Sequence, residues 1–276
     1  MSASAPVPAP IPSTSSLAKI FSSPLDDRIA HLNRVLSTAS GIDSTLCFVG
    51  YGLSFVSVSL NNLRTSQTFR KIIAQDGKGT ATGVAAKLAD AAASAKAAGT
   101  MFTDFRTAMR LWGLLRIWAG AKATYLNPPK DGVLKLLAWS QMGSMAAYLA
   151  FENTYYLMSK GVLKGTPEVM GRRIKAALWV FLAYLVLDFV RLGRVVQVRA
   201  ADKQKAKSED VDEKALKAQL ADQDRAWYRS LQVDLAYFIL TWGWTGTISL
   251  PEWSYGLGGM IAGYANFKEA LRVTKA

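Results

Sequence analysis

Residues 231–250 read LQVDLAYFILTWGWTGTISL, a run of 20 residues in which Asp234 is the one charge. As an α-helix rising about 1.5 Å per residue it would be about 30 Å long, the thickness of a bilayer's hydrocarbon core. Arg225 and Arg229 precede the run, and the apolar zone continues to residue 267, where Lys268, Arg272 and Lys275 take over. The turn expected at Ser249-Leu250-Pro251-Glu252-Trp253 has no basic residue. Basic side chains favour the cytosolic face, so the layout predicts an apolar helical hairpin over 231–267 with both ends cytosolic. Gly259 and Gly263 have the small-xxx-small spacing that lets helix backbones approach closely, within one chain or between two copies.

Two more apolar zones lie upstream, 136–158 and 176–190, interrupted by Glu152 and Asp188. An ionisable residue at mid-bilayer costs roughly 2.5–3.5 kcal/mol on insertion scales, so it is a candidate for function. Glu152, Asp188 and Arg191 are therefore candidates for a pore lining or a polar contact. Arg191 follows Asp188 by three residues and can pair with it on one helix face. Asp234 is expected at a headgroup boundary, which leaves Glu152 without a visible partner. The charged stretch 199–226 reads as a linker or solvated helix.

Residues 102–125 are of a different kind. On a helical projection Phe105, Ala108, Met109, Trp112, Leu115 and Ala119 share one face, and Thr103, Arg106, Thr107 and Arg110 share the other. Arg116 sits at the boundary, where its stem can snorkel, and Ile117 intrudes on the basic side. Such a helix either packs its apolar face on neighbouring helices or lies in a membrane interface and wedges one leaflet. Trp112, Trp118 and Tyr125 beside Arg106, Arg110, Arg116 and Lys122 favour the interface, because amphipathic rings and basic charges both suit the headgroup layer. Phe105, Arg106, Met109, Arg110, Trp112, Leu115 and Arg116 are accordingly the expected membrane-binding residues. Asn127-Pro128-Pro129 ends the helix.

The remaining segments are simpler. Residues 1–23 open as MSASAPVPAPIPSTSS, uncharged and rich in Pro and Ser, and read as a disordered tail. Ser23-Pro24 with Asp26 and Asp27 is a helix start, and 24–276 is expected to form one helical membrane domain. Within it, residues 76–100 are Gly, Lys, Thr and Ala with few large apolar side chains, and read as an insertion or mobile helix. No strand alternation with hairpin turns persists, so the fold class is all-α.

Composition narrows the function. The 276 residues are 50% hydrophobic, with 33 Lys and Arg against 20 Asp and Glu and with 8 Trp in long uncharged runs. That favours anionic membrane lipids over nucleic acid as the partner of the basic charge. Cys47 and His31 are the sole residues of their types, which leaves no disulfide framework, no usual zinc site and no Ser-His-acid arrangement beyond His31. No P-loop is present. No cofactor, metal or enzymatic activity is expected. The chain ends Thr-Lys-Ala and not in the Ser-Lys-Leu matrix address.

In order along the chain come Asp27-Arg28-Ile29, then Arg106, Arg110 and Leu111, then Tyr155-Tyr156-Leu157 with Gly161-Val162-Leu163, then Val233-Asp234-Leu235 before a glycine-rich end from Gly256 to Gly263. The order resembles the peroxin-11 family over about residues 25–272. The resemblance implies a peroxisomal membrane protein that elongates the membrane before fission and controls organelle number. It also implies self-association into a homo-oligomer and contact with membrane-fission machinery. The alternative kept beside it is a channel or carrier for small solutes.

Overall fold

The computed structural model describes Lys19, Phe21 and residues 23–75, 80–206 and 213–275. Most of the Pro/Ser tail lies outside these residues. The regular elements among the described residues are α-helices and one 3-10 turn, so the chain is all-α. In order they are α1 (Pro24–Leu36), α2 (Ala39–Thr65), α3 (Gln67–Gln75), α4 (Thr80–Met109), the 3-10 turn Arg110–Trp112, α5 (Gly113–Leu126), α6 (Gly132–Ser159), α7 (Pro167–Ala206), α8 (Glu213–Trp244) and α9 (Glu252–Val273). The start of α1 follows its local chemistry. The Ser23 hydroxyl accepts from the Asp26 amide at 3.3 Å, Pro24 occupies the first turn, and Asp26 and Asp27 face the positive dipole end.

Helix α2 is the hub. Along one side it packs antiparallel to α9 through glycines. A Cβ at Gly263 would lie 2.5 Å from the Phe48 amide nitrogen, one at Gly259 2.3 Å from the Tyr51 ring, and one at Gly256 2.6 Å from the Phe55 nitrogen. The small-xxx-small stripe is thus used inside the chain. Along another side α2 meets α4, where Gly50 and Gly99 let the backbones close and the Ser57 hydroxyl donates to the Ala92 carbonyl at 2.7 Å. The described part of the alanine-rich stretch is a helix that packs on α2 between Ala92 and Gly99. Its small side chains bury little area, but they let two backbones touch, and Ala92 and Ala95 are buried at the seam.

Helices α6 and α7, α7 and α8, and α8 and α9 form successive antiparallel pairs. Of the charged stretch, residues 199–206 close α7 and 213–226 open α8, and Arg199 of α7 reaches Asp224 and the Gln223 carbonyl of α8. The expected hairpin is α8 and α9, but its first arm is shorter than the sequence run. Gly246, at φ +78°, follows the last helical residue, Trp244. The helical part from 231 to 244 is about 21 Å long, short of a bilayer core. Among the described residues, the two helices long and apolar enough to cross a membrane are Ala39–Thr65 and the Pro167–Asp202 part of α7. Cys47 joins three helices, with its sulfur 3.4 Å from the Tyr237 hydroxyl on α8 and 3.8 Å from the Gly259 carbonyl on α9.

The core is apolar, with Val35, Leu137, Leu149, Leu182, Leu185, Leu192 and Leu240 buried, yet Arg106, Gln141, Glu152, Asp188, Asp234 and Thr241 are buried as well and Trp112, Trp118, Leu136, Trp179 and Val190 are exposed. Buried polar groups and large exposed apolar side chains are the informative departures from ordinary sorting. Enlarging Gly263 tests the α2–α9 seam. Gly263→Leu should cost at least about 1–3 kcal/mol by overpacking. Gly143→Ala, where nothing lies within 4 Å, should be neutral or stabilise by up to about 1 kcal/mol. Unfolding followed by circular dichroism in micelles reads both, and equal stability of Gly263→Leu and wild type would mean that the seam does not form.

Candidate membrane-contact site

The two expected faces separate in part: Phe105, Trp112 and Leu115 are exposed and Arg106 is buried, while Ala108 and Met109 are half-buried and Thr103 is exposed. Phe105, Trp112, Leu115, Trp118, Tyr125 and Leu126 all point outward, with Trp118 and Tyr125 each 75% exposed. The α-helical pattern is interrupted by the 3-10 turn Arg110–Trp112, which Gly113 follows. A Cβ on Gly113 would stand 2.8 Å from a Leu149 methyl, so the glycine lets α5 close on α6. Arg116 is exposed among the apolar residues.

The two arginines expected at headgroups point the other way. Arg106 is 8% exposed, and its Nε donates to Asp43 Oδ1 of α2 at 2.8 Å, with its guanidinium 6.0 Å from the centre of the Tyr51 ring. Arg110 donates to both oxygens of Glu152 on α6, at 2.6 and 2.8 Å, and to the Thr107 hydroxyl at 3.1 Å. Tyr148, one turn before Glu152, donates its hydroxyl to Oε1 at 2.6 Å. Carboxylates on facing helices draw Arg106 and Arg110 inward, because a guanidinium bonding a carboxylate makes charge-assisted hydrogen bonds. Glu152, the acid with no partner visible in the sequence, is the anchor of this clasp.

The other candidates form a second polar cluster between α6, α7 and α8. Arg191 pairs with Asp188, its Nη2 donating to Oδ2 at 2.9 Å, as the three-residue spacing predicts. Gln141 of α6 donates its amide to the same carboxylate. Asp234, expected at a headgroup boundary, is buried. The antiparallel run of α7 and α8 carries it inside, against Asp188, where its Oδ2 is buried without a hydrogen-bond partner. Ile117 of α5 and Met142 and Met145 of α6 line a groove of about 300 Å³ that reaches Gln141. Glu152, Asp188 and Arg191 are thus brought into two separate clusters. Asp43, Tyr148 and Gln141 were not singled out from the sequence. The one available signal was the four-residue spacing of Tyr148 and Glu152.

At the end of α6 nearer α7's C-terminus, Asp131 caps the helix by accepting from the Leu134 amide at 2.9 Å and takes the Arg194 guanidinium at 2.7 Å. These bonds, Arg194 first, hold its carboxyl below the ordinary carboxylate range.

Residues 81–271 match the family model of Peroxisomal biogenesis factor 11 (PEX11), which covers more than half of the chain. The chain belongs to the PEX11 family. No curated protein and no solved structure matches it. The match takes in the alanine-rich helix, the α4–α5 unit, both polar clusters and the hairpin, and leaves α1 to α3 outside it. Membership makes the chain a peroxisomal biogenesis factor, and the two apolar helices of spanning length agree with a place in the membrane of that organelle.

The Arg110–Glu152 clasp has a testable energetic signature. Removing one partner of a buried pair costs about 3–5 kcal/mol, whereas replacing both by apolar residues is often neutral. Glu152→Leu should therefore lower the unfolding midpoint strongly and Arg110→Leu/Glu152→Leu should recover most of it. Additive losses in a double-mutant cycle would show that the two side chains do not interact.

Proposed function

We propose that this PEX11-family protein is a non-enzymatic membrane-shaping factor of the peroxisome, which elongates the membrane ahead of fission and so promotes proliferation. The observation that carries the reading is the outward row Phe105, Trp112, Leu115, Trp118 and Tyr125 on a helical segment whose Arg106 and Arg110 are bonded inside. A helix tied to α2 and α6 on its polar side offers its aromatic side to lipid as a fixed ledge. Seated at the acyl boundary, that ledge adds area to one leaflet and bends the sheet. Arg116 and Lys122 meet anionic headgroups at its rim. The α8–α9 hairpin lies with both ends on the cytosolic side, where fission machinery acts. Copies of the chain associate through faces other than the Gly259 and Gly263 stripe, which α2 already occupies.

The experiment is reconstitution of the full chain into vesicles containing anionic lipid. Wild-type protein should tubulate them, and quenchers placed along the lipid chains should reach Trp112 and Trp118. Trp112→Ser/Leu115→Ser/Trp118→Ser should leave helix content and membrane insertion intact and abolish tubulation. Unchanged tubulation by the triple variant would remove α5 from the mechanism.

A further inference from the structure

The polar end of the hairpin carries a second feature that membrane shaping does not use. Between α8 and α9 lies a cavity of about 430 Å³ whose lining includes Arg225, Arg229, Lys268, Glu269 and Arg272. Two of these cations are committed. Arg225 bonds Asp222 at 2.8 Å, and Arg272 bonds Glu269 at 2.8 Å and Asp222 at 3.4 Å. The bond from Arg272, more than any other influence, holds the Glu269 carboxyl below its ordinary range. The other two cations are available. Arg229 reaches Glu269 at 3.6 Å, beyond a good hydrogen bond, and Lys268 makes no ion pair among the described residues. Four cations against two carboxylates leave the collar positive.

Below this collar the surface changes character along the same two faces. On α8 the exposed residues Tyr228, Gln232, Leu235 and Ile239 follow one another at helical spacing, from polar to apolar. On α9 the exposed series Arg272, Lys268, Tyr264 and Ile261 makes the same passage. Donors stand at the top, two tyrosines at the level where amphipathic rings meet headgroups, and aliphatic side chains beneath. A free phosphate ion would use the first tier alone, whereas a diacyl phospholipid would use all three.

We propose that this cavity is a binding site for one anionic phospholipid, its phosphate held between Arg229 and Lys268 and its acyl chains laid along Leu235, Ile239 and Ile261. The site rests on the reading of the chain as membrane-embedded and is independent of membrane bending. Gln232 supplies an amide donor, and Glu269 keeps Arg272 at the rim and limits the charge to what one phosphodiester or phosphomonoester neutralises. Bidentate guanidinium and point-charge ammonium together suit tetrahedral phosphate.

The test is native mass spectrometry of the full chain in non-ionic micelles, titrated with phosphatidic acid, phosphatidylcholine or inorganic phosphate. Wild type should retain one phosphatidic acid in preference to phosphatidylcholine, and a large excess of inorganic phosphate should not displace it. At roughly a fivefold loss per basic contact, Arg229→Gln/Lys268→Gln should bind phosphatidic acid about thirtyfold more weakly, with an unchanged melting temperature. Leu235→Ser/Ile239→Ser should weaken the lipid as well, which separates a lipid site from a bare anion site. No preference for the anionic lipid, or full affinity in the double basic variant, would overturn the proposal. Displacement by inorganic phosphate at equal concentration would overturn the lipid assignment in favour of a free anion. Unchanged tubulation by the α5 triple variant, with lipid retention intact, would count against α5 as the wedge and not against this site.

Discussion

The bidentate bond of Arg110 to Glu152 is the interaction on which the arrangement of the other helices turns. In lipid, helices gain no hydrophobic energy by meeting one another, so association and register must come from packing and polar bonds. A guanidinium fork on a carboxylate fixes distance, angle and height together. Once Arg110 is set against α6 and Arg106 against α2, the α4–α5 unit is held at two points one helical turn apart, and its aromatic side has a single direction left to face. The outward aromatic row is thus a consequence of two carboxylates on neighbouring helices, as much as of the residues in the row.

Glycine does the complementary work on the other side of α2. Where ion pairs set height, small residues set separation. The contacts of Gly256, Gly259 and Gly263 with Phe55, Tyr51 and Phe48 bring α9 so close that aromatic rings of α2 lie over the glycine stripe. Phe48 in turn stacks on Phe267 and tilts against Tyr264. The hairpin is seated on the hub by that contact. Ile261 and Lys268 stay exposed beside this seam, with Tyr264 at its edge against Phe48, so that face of α9 is free to carry a collar and a track.

Periodicity made much of this legible. The separation of Phe105, Trp112 and Leu115 from Arg106 and Arg110 is a property of helix geometry and carried over intact, as did the Asp188–Arg191 pair and the Ser23 cap. What periodicity cannot supply is the partner across a helix interface. Asp43 and Glu152 lie 63 and 42 residues from the arginines they hold, and no local pattern marks them. The packing of the alanine-rich helix is illegible in the sequence for a related reason. Area-based reasoning counts what a side chain covers, and α4 is held by how little its side chains intervene. The 231–250 run misled because hydropathy does not register a left-handed glycine, and Gly246 ends the helix while the apolar letters continue.

The position of Cys47 has a practical outcome. Its thiol is enclosed by α2, α8 and α9, beyond the reach of water-borne reagents, and the sequence has no second cysteine. For labelling chemistry the natural protein therefore behaves as a silent background. A cysteine introduced at the end of any helix would be the sole reactive thiol, so the side of the membrane on which each loop emerges can be mapped by impermeant maleimides without disturbing the joint that the native sulfur helps to form.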